Sequence, residues 1–339
     1  MYTKLFPLLN KTNWCREHQI KQFRERWPDI FTEERQVIRK SNSEAVEKQR
    51  KMPRHLRQKV KHSYVEKTVI PAECAVWFRG YPYQHSRNRD PERNGADEVL
   101  NREIPFILSM GAGNHYLPMR IEQNEQWLPE AKLILTQSQS TKEALLPYNN
   151  NILAMPNPVN IDLFTPPEEG RNGKLSFGMA GNFSGNNRNV VKGYVAFKEA
   201  MVNLDKRRAK VLISNRDRQF HEMPEYYKQI DVLFQTSISE GCSNTVSECM
   251  SAGCMPVIVK DIGWHGETCI DIRESDKGNC LFCDNTKEDV YKAMQWCIAN
   301  KDGVRLAQKN AQETAKAWSW DKLGAEYIKI FKDFLKDIS

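Results

Sequence analysis

Short apolar runs alternate with longer helical stretches along this 339-residue chain. The first half has such runs at 75–78, 106–109, 132–136 and 152–155. The second half has them at 175–179, 209–213, 232–236 and 255–259. Parallel strands buried by helices on both faces are short and continuously apolar. The alternation therefore predicts an α/β protein with two Rossmann-like, doubly wound domains.

One polar segment, TPPEEGRNGK at 165–174, separates the two series of runs. Segments rich in proline and glycine are typical of linkers, and a chain of this length suits two domains. We therefore predict an N-terminal domain at 1–164 and a C-terminal domain at 175–317. Apolar residues at helical spacing in 318–339 predict a closing amphipathic helix.

The composition is that of a globular protein, with 40% apolar and 27% charged residues. No apolar run reaches the roughly 18 residues that a membrane-spanning helix needs, and the first residues lack the pattern of a signal peptide. The nine cysteines are scattered and odd in number, which favours reduced thiols. We therefore expect a cytoplasmic protein, with peripheral contact to a membrane left open.

Positive charge is concentrated near the N-terminus. Residues 1–70 carry a net charge of +9, whereas the remaining residues carry −2. On a helix that starts near Pro53, Arg54, Arg57 and Lys61 share one face. We expect this face to bind an anionic acceptor, either DNA or a membrane-associated glycan, although a solvated surface would have the same pattern.

The richest segment for chemistry is SISEGCSNTVSECMSAGCMPVIV at 237–259. A predicted strand ends near Thr236, and a helix begins after a glycine-containing loop. Unpaired amides and the helix dipole make such a helix start suitable for a diphosphate. Glu240 would then hold hydroxyls of a sugar, and Glu248 those of a ribose. The alternative for Glu248 is local, because Thr245-x-x-Glu248 also fits a capping box.

This segment resembles the Glu-x7-Glu motif of glycosyltransferase family four in its EGxSN variant, followed by M-x-x-G-x-x-P-V-I. Five further segments resemble parts of the same family: SxxxK at 138–142, NPVNIDLF at 157–164, Lys192-Gly193, YYKQIDV at 226–232 and the tail WSW at 318–320. Together the matches cover residues 130–335. The resemblance implies a retaining enzyme of GT-B fold, with the closing helix returning to the first domain.

The resemblance also implies roles for single residues. Lys192 would neutralise the diphosphate leaving group, whose charge grows in the transition state. The turn at Gly181 and Asn182 would approach the phosphates, but the family usually has arginine where Asn182 stands, and Arg188 could take that place. His115 would face the donor sugar. The backbone amides that would hold phosphate or sugar are those of Cys242, Ser243, Asn244 and Thr245.

In the first domain, Trp77, Arg79 and Tyr81 follow a predicted strand. They would line the acceptor cleft or serve as core residues, and the sequence leaves both roles open.

We expect no metal ion and no cofactor besides a nucleoside-diphosphate sugar, taken to be a UDP-sugar. The sequence has no D-x-D motif of the kind that holds a divalent ion in GT-A enzymes. In a front-face retaining mechanism the departing phosphate oxygen takes the proton of the acceptor hydroxyl. Glu240 would then act by positioning and electrostatics.

Three functions stay open at this point. The first is sugar transfer to a glycan or lipid-linked glycan at the cytoplasmic membrane face. The second is transfer to a hydroxymethylated base of DNA, as in some bacteriophage enzymes. The third is a GT-B epimerase, or an inactive protein of this fold that binds nucleic acid, because a fold alone does not fix the function.

Overall fold

The computed structural model describes residues 2, 4–8, 14–31, 74–79, 99, 102–111, 113, 116–171, 173–183, 187–215 and 218–339. Its strands form two five-stranded sheets, and the strand pairs in both are parallel. The α/β class predicted from the alternation of apolar runs is therefore confirmed.

The first sheet has the strand order β1-β2-β3-β4-β5. Its strands are β1 (Lys4–Leu8), β2 (Cys74–Arg79), β3 (Phe106–Met110), β4 (Leu133–Thr136) and β5 (Ile152–Ala154). The second sheet has the order β10-β9-β8-β6-β7. Its strands are β6 (Leu175–Gly181), β7 (Ala209–Asn215), β8 (Val232–Gln235), β9 (Met255–Ile258) and β10 (Leu281–Phe282).

Helices connect most of these strands, as parallel pairing requires. Those before β8 are α1 (Trp14–Arg26), α2 (Leu117–Glu122), α3 (Gln139–Leu145), α4 (Arg188–Val191), α5 (Tyr194–Met201) and α6 (Met223–Lys228). Those after it are α7 (Asn244–Ser251), α8 (Gly263–Thr268), α9 (Lys287–Ala299), α10 (Lys301–Ala317) and α11 (Ala325–Asp337).

Backbone contacts divide the chain into two compact units. The smaller unit comprises Met1–Ser109, Gln126–Leu133 and Phe331–Ser339. The larger unit comprises Met110–Glu125 and Ile134–Ile330. The domain limits proposed from the sequence, with a linker at 165–174, stay a prediction.

The core of the smaller unit is an aromatic cluster. Phe331 of α11 packs against Trp77 of β2 with ring centroids 4.8 Å apart, and Phe23 of α1 meets the same indole edge-on at 5.4 Å. The Trp77 side chain is fully buried, and its Nε1 donates a hydrogen bond to Ser109 Oγ at 2.8 Å. Of the two roles left open for Trp77, the structure therefore displays that of a core aromatic.

Strands β8 and β9 form the centre of the larger unit. All four residues of each strand are buried, which fits a sheet covered by helices on both faces. Asp231 fixes the start of β8, since its Oδ2 accepts a hydrogen bond from the backbone nitrogen of Ser176 at 2.7 Å. Strand β8 ends at Gln235, and the loop that follows leads directly into α7.

A glycine and an arginine cap the C-terminal end of α7. Gly253 has a φ of +70°, a left-handed conformation common just after a helix. Arg171 donates hydrogen bonds to the carbonyls of Ala252 and Gly253, both at 2.7 Å. The C-terminal end of α7 is thereby capped.

Phe331→Ala should lower the free energy of unfolding by about 3–5 kcal/mol, because it removes the ring that packs on Trp77 and leaves a cavity. Chemical denaturation followed by tryptophan fluorescence measures the loss. Lys332→Ala is the matched control, since Lys332 is exposed on the same helix and should change stability little. Equal effects of the two changes would contradict the core role of the aromatic cluster.

Candidate active site

The loop between β8 and α7 holds the first candidate residue, Glu240. Its carboxylate forms an ion pair with the ammonium of Lys192, which lies 48 residues earlier in the sequence. Both side chains are largely buried, with 29% of Lys192 and 18% of Glu240 exposed. Gln235 Nε2 donates a second hydrogen bond to Glu240 Oε1 at 3.2 Å. The structure thus joins two residues that the sequence proposed separately.

Glycines let the backbone approach this loop very closely. An added Cβ at Gly113 would overlap the backbone nitrogen of Glu240, and one at Gly193 would overlap the hydroxyl of Thr236. Gly263 has a φ of +64°, and a Cβ there would stand only 2.6 Å from the carbonyl oxygen of Gly241. These segments therefore surround the Glu240 loop at distances that only glycine permits.

Helix α4 carries Lys192 to the site. Asn187 precedes the helix in a left-handed conformation, with a φ of 56°, which asparagine tolerates. The backbone nitrogen of Lys192 donates to the carbonyl of Arg188 at 2.9 Å, so the two cations stand one helical turn apart. Arg188 is exposed at the surface.

The turn that follows β6 contains two further candidate residues. Gly181 is the last residue of β6, and Asn182 follows it half-buried. Phe183 then stacks face to face on Tyr194 of α5, with ring centroids 4.6 Å apart. Its backbone nitrogen donates to Asn215 Oδ1 at 3.0 Å, so the turn is anchored on both sides.

Glu248 lies buried within α7. The hydroxyl of Tyr227 donates a hydrogen bond to its Oε2 at 2.9 Å. Burial raises the pKa of Glu248 to about 8, although the hydrogen bond from Tyr227 acts in the opposite direction. The carboxyl is therefore mostly protonated at neutral pH.

The capping-box alternative for Glu248 is wrong. Helix α7 has Ser243 as its N-cap, so Thr245 already lies inside the first turn. The carboxyl meets Tyr227, and no side-chain capping hydrogen bond is formed by Ser243. Glu248 is therefore held by a tertiary contact, which local sequence spacing did not predict.

Two side-chain amides fix the start of α7. Asn157 Nδ2 donates to Asn244 Oδ1 at 2.9 Å, and Gln137 Nε2 donates to Asn157 Oδ1 at 2.6 Å. The backbone nitrogen of Asn157 also donates to Cys242 Sγ at 3.4 Å. Burial raises the pKa of Cys242 to about 12, so it stays a neutral thiol. The positive end of the helix dipole is thus held in place without a capping side chain.

Several buried polar atoms beside Glu240 have no hydrogen-bond partner within the part of the chain that the structure describes. They are Gln235 Oε1, Thr236 Oγ1, Ser239 Oγ and, on α8, Trp264 Nε1. A buried polar atom without a partner costs about 1–3 kcal/mol. These atoms lie in and around one loop, and a site that binds a polar ligand would have such unpartnered polar atoms.

The structure describes little of the other predicted site residues. His115, Arg54, Arg57, Lys61 and Tyr81 lie outside the described residues. Arg79 is the last residue of β2. Their proposed contacts with sugar or acceptor therefore stay predictions.

Sequence reasoning missed the residues that hold the two glutamates. Tyr226 belongs to a segment that resembles the family, yet its hydroxyl lies 3.0 Å from the carbonyl oxygen of Met179 in the core. The adjacent Tyr227 is the one that meets Glu248. Gln235 also escaped notice, although a polar residue at the end of an apolar strand is a signal that could have indicated it.

The described residues also bear on two other kinds of site. Over the ranges that the structure describes, no group of three or more His, Cys, Asp or Glu side chains is arranged to hold a metal ion. Within the same ranges, no helix is both long and apolar enough to span a membrane. Eight of the nine cysteines, including Cys280 and Cys283, are buried as free thiols.

Glu248→Gln should flatten the pH dependence of stability. In the unfolded chain the carboxyl ionises near its ordinary pKa of 4.5, whereas the folded protein keeps it protonated up to about 8. The wild type should therefore lose stability, on the order of a few kcal/mol, as the pH rises through this interval. The glutamine amide does not titrate. Urea denaturation at a series of pH values measures the free energy of unfolding of both proteins.

The test compares how the free energy of unfolding changes with pH in the wild type and in Glu248→Gln. Burial also lowers the pKa of His265 to about 3, but that histidine affects wild type and variant alike. Glu274→Gln, at an exposed position, should give a curve parallel to that of the wild type. A parallel curve for Glu248→Gln as well would contradict a protonated, buried Glu248.

The sequence and the fold were compared with known proteins. Residues 182–300 match a family model described as glycosyl transferases group 1. A search of the curated proteins found no match to this chain.

Solved structures share the fold across most of the chain. HepE from Anabaena, in complex with UDP, is 12% identical over 98% of this chain and 100% of its own, with a TM-score of 0.63. A glycosyltransferase from Rickettsia africae is 14% identical over 99% of both chains, with a TM-score of 0.61. A sucrose-phosphate synthase from Thermosynechococcus elongatus is 14% identical over 78% of this chain and 74% of its own, with a TM-score of 0.59.

At these identities the structural likeness shows the fold, an α/β fold with two parallel sheets that matches GT-B glycosyltransferases. The family model covers the segment that contains Lys192, Glu240 and Glu248. The predicted enzyme class is confirmed: the chain carries a group 1 glycosyltransferase domain within a GT-B fold.

Proposed function

We propose that this protein is a retaining glycosyltransferase that needs no metal ion and transfers a sugar from a UDP-sugar. The acceptor in this proposal is a hydroxyl of a glycan or lipid-linked glycan at the cytoplasmic membrane face. One observation carries the proposal: the ion pair of Lys192 and Glu240 at the loop that leads into α7. It places a cation and a hydrogen-bond acceptor beside a helix N-terminus.

The donor diphosphate would lie at the start of α7. The amides of Ser243, Asn244 and Thr245 would donate to its oxygens, and the helix dipole favours the negative charge there. Lys192 would add a full positive charge, joined by Arg188 one turn earlier on α4. The choice of UDP is supported by HepE, which has been solved with UDP and with UDP-glucose.

The two glutamates would recognise the rest of the donor. Lys192 and Gln235 both bind Glu240 through Oε1, which leaves Oε2 to accept a hydrogen bond from the transferred sugar. Glu248 would meet the ribose hydroxyls, with Tyr227 fixing the orientation of its carboxyl. His115 would face the same sugar from the first-domain loop.

The chemical step would break the bond between the anomeric carbon and the diphosphate oxygen. The acceptor oxygen forms its bond to the same carbon and on the same face, so the anomeric configuration is retained. The acceptor proton passes to the departing phosphate oxygen. Because that oxygen gains negative charge, Lys192 and the α7 amides stabilise the transition state more than the ground state.

Glu240→Gln and Glu248→Gln should each lower kcat/KM for the donor at least about tenfold. Glu240→Gln removes a charged hydrogen-bond acceptor worth on the order of 1.5–3 kcal/mol, and Glu248→Gln replaces an oxygen that can accept from the ribose by an amide nitrogen that cannot. Release of UDP from UDP-glucose, followed by a coupled assay, measures the effect. Glu313→Gln is the control, since Glu313 forms an exposed ion pair with Lys316. Full activity of Glu248→Gln alongside altered stability would leave that residue a structural role only.

Transfer should continue in excess chelator, and Lys192→Ala should lower kcat on the order of 100-fold, because the lysine supplies the charge that a metal ion supplies elsewhere. Added magnesium should not restore the variant. Lys316→Ala, in an exposed ion pair, serves as the control. Activity that chelator abolishes and manganese restores would contradict the proposed mechanism.

A further inference from the structure

A groove of about 540 Å³ lies between α2 and α3, a size typical of sites for small ligands. Leu117 and Ile121 of α2 line it, together with Ala144 of α3 and Tyr148 just beyond that helix. Two carboxylates, Glu122 and Glu125, also line the groove, and both residues are exposed to solvent. We call it the α2–α3 groove.

Both walls of the groove start at the Glu240 loop. Gly113 packs against the backbone of Glu240, and its carbonyl accepts a hydrogen bond from the backbone nitrogen of Tyr116 at 3.0 Å, immediately before α2. Gln137 packs against Gly241, where an added Cβ would stand 2.9 Å from its Oε1, and α3 begins two residues later.

The reach from the loop to the groove is therefore short. At about 3.5 Å per residue, Leu117 lies no more than about 14 Å from Gly113, and Ser140 no more than about 11 Å from Gln137. Ser140 also lines the groove. A short oligosaccharide bound there could extend its end to Glu240.

The backbone amides at the N-terminal end of α3, where an anion would otherwise bind, already hold a carboxylate. Helix α3 begins at Gln139, and the backbone nitrogens of Gln139 and Ser140 donate to the two oxygens of Glu267 at 2.7 and 3.0 Å. A phosphate group cannot bind amides that a carboxylate occupies. Among the residues that line the groove, the charged ones are Glu122 and Glu125, and both are negative.

This lining fits one class of ligand. The C–H faces of a sugar ring can pack on Tyr148, Leu117 and Ile121, while its hydroxyls donate to carboxylates. A nucleic acid or an anionic headgroup would instead place like charges together, which disfavours binding. We propose that the α2–α3 groove binds an uncharged saccharide, which forms the reactive end of the acceptor. This inference rests on the proposed function and names its acceptor class.

Direct binding tests the groove without relying on turnover. Maltose, cellobiose and N,N′-diacetylchitobiose serve as probes in saturation-transfer NMR with the full chain in the presence of UDP. We expect the wild type to bind at least one of them. Glu122→Gln with Glu125→Gln should weaken that binding at least about tenfold, since two hydrogen bonds to charged acceptors are replaced by weaker ones to neutral amides. Ala144→Trp should abolish it by filling the groove.

The controls separate the groove from the donor site. Glu143→Gln changes an exposed glutamate of α3 that does not line the groove, and it should bind saccharide like the wild type. Release of UDP from UDP-glucose without acceptor should stay within about twofold in all groove variants, because donor contacts are untouched. Thermal unfolding verifies that each variant is folded.

Each outcome decides the question. The groove proposal is wrong if the wild type cleaves UDP-glucose but binds none of the saccharides, or if both groove variants bind like the wild type. It is also wrong if duplex DNA or phosphatidylglycerol vesicles bind and the same variants weaken that binding. A wild type that binds saccharide but never cleaves a UDP-sugar would contradict the proposed function and leave the groove assignment standing.

Discussion

Lys192 and Glu240 meet because the backbone segments around them pack closely through glycines. Gly193 follows the lysine in a left-handed conformation and lies against Thr236, the first residue of the loop that holds Glu240. Gly113 and Gly263 press on the same loop from other segments. A Cβ at any of these positions would push the loop outward. The ion pair is therefore a consequence of close backbone packing.

The second glutamate shows a different balance of forces. Glu248 is buried in α7, where an ionised carboxylate would lose its hydration, and its raised pKa expresses that cost. Tyr227 supplies one hydrogen bond, which is less than two carboxyl oxygens can accept. A polar ligand that donates to Glu248 would offset part of the burial. The buried polar atoms of Gln235, Thr236 and Ser239 impose a similar cost near Glu240.

The sequence predicted the parts of this structure that depend on short-range patterns. Continuous apolar runs indicated β8 and β9, because strands covered on both faces bury every residue. Helix α7 begins after the glycine-containing loop, as the sequence predicted. These features follow from properties of adjacent residues, so the printed sequence is enough to find them.

Contacts between distant residues were harder to predict. Nothing in the spacing distinguishes Tyr226, which meets core carbonyls, from Tyr227, which holds Glu248. The capping box failed for the same reason, since a tertiary partner replaced the local one. Trp77 could not be assigned to core or cleft until Phe331 was seen to pack on it. In each case the deciding partner lies far away in the sequence.

Charge gives two indications about the acceptor that have to be reconciled. Residues 1–70 are strongly basic, which favours an anionic partner, whereas the charged residues that line the α2–α3 groove, Glu122 and Glu125, are both acidic. Exposed charges act over about 10 Å at moderate salt, so one molecule can satisfy both only if its charge and its reactive end are well separated. A glycan whose uncharged terminal sugars carry the reacting hydroxyl and whose anionic part lies farther away meets this condition. A DNA base does not, because the phosphates of its own nucleotide lie within the distance over which their charge acts.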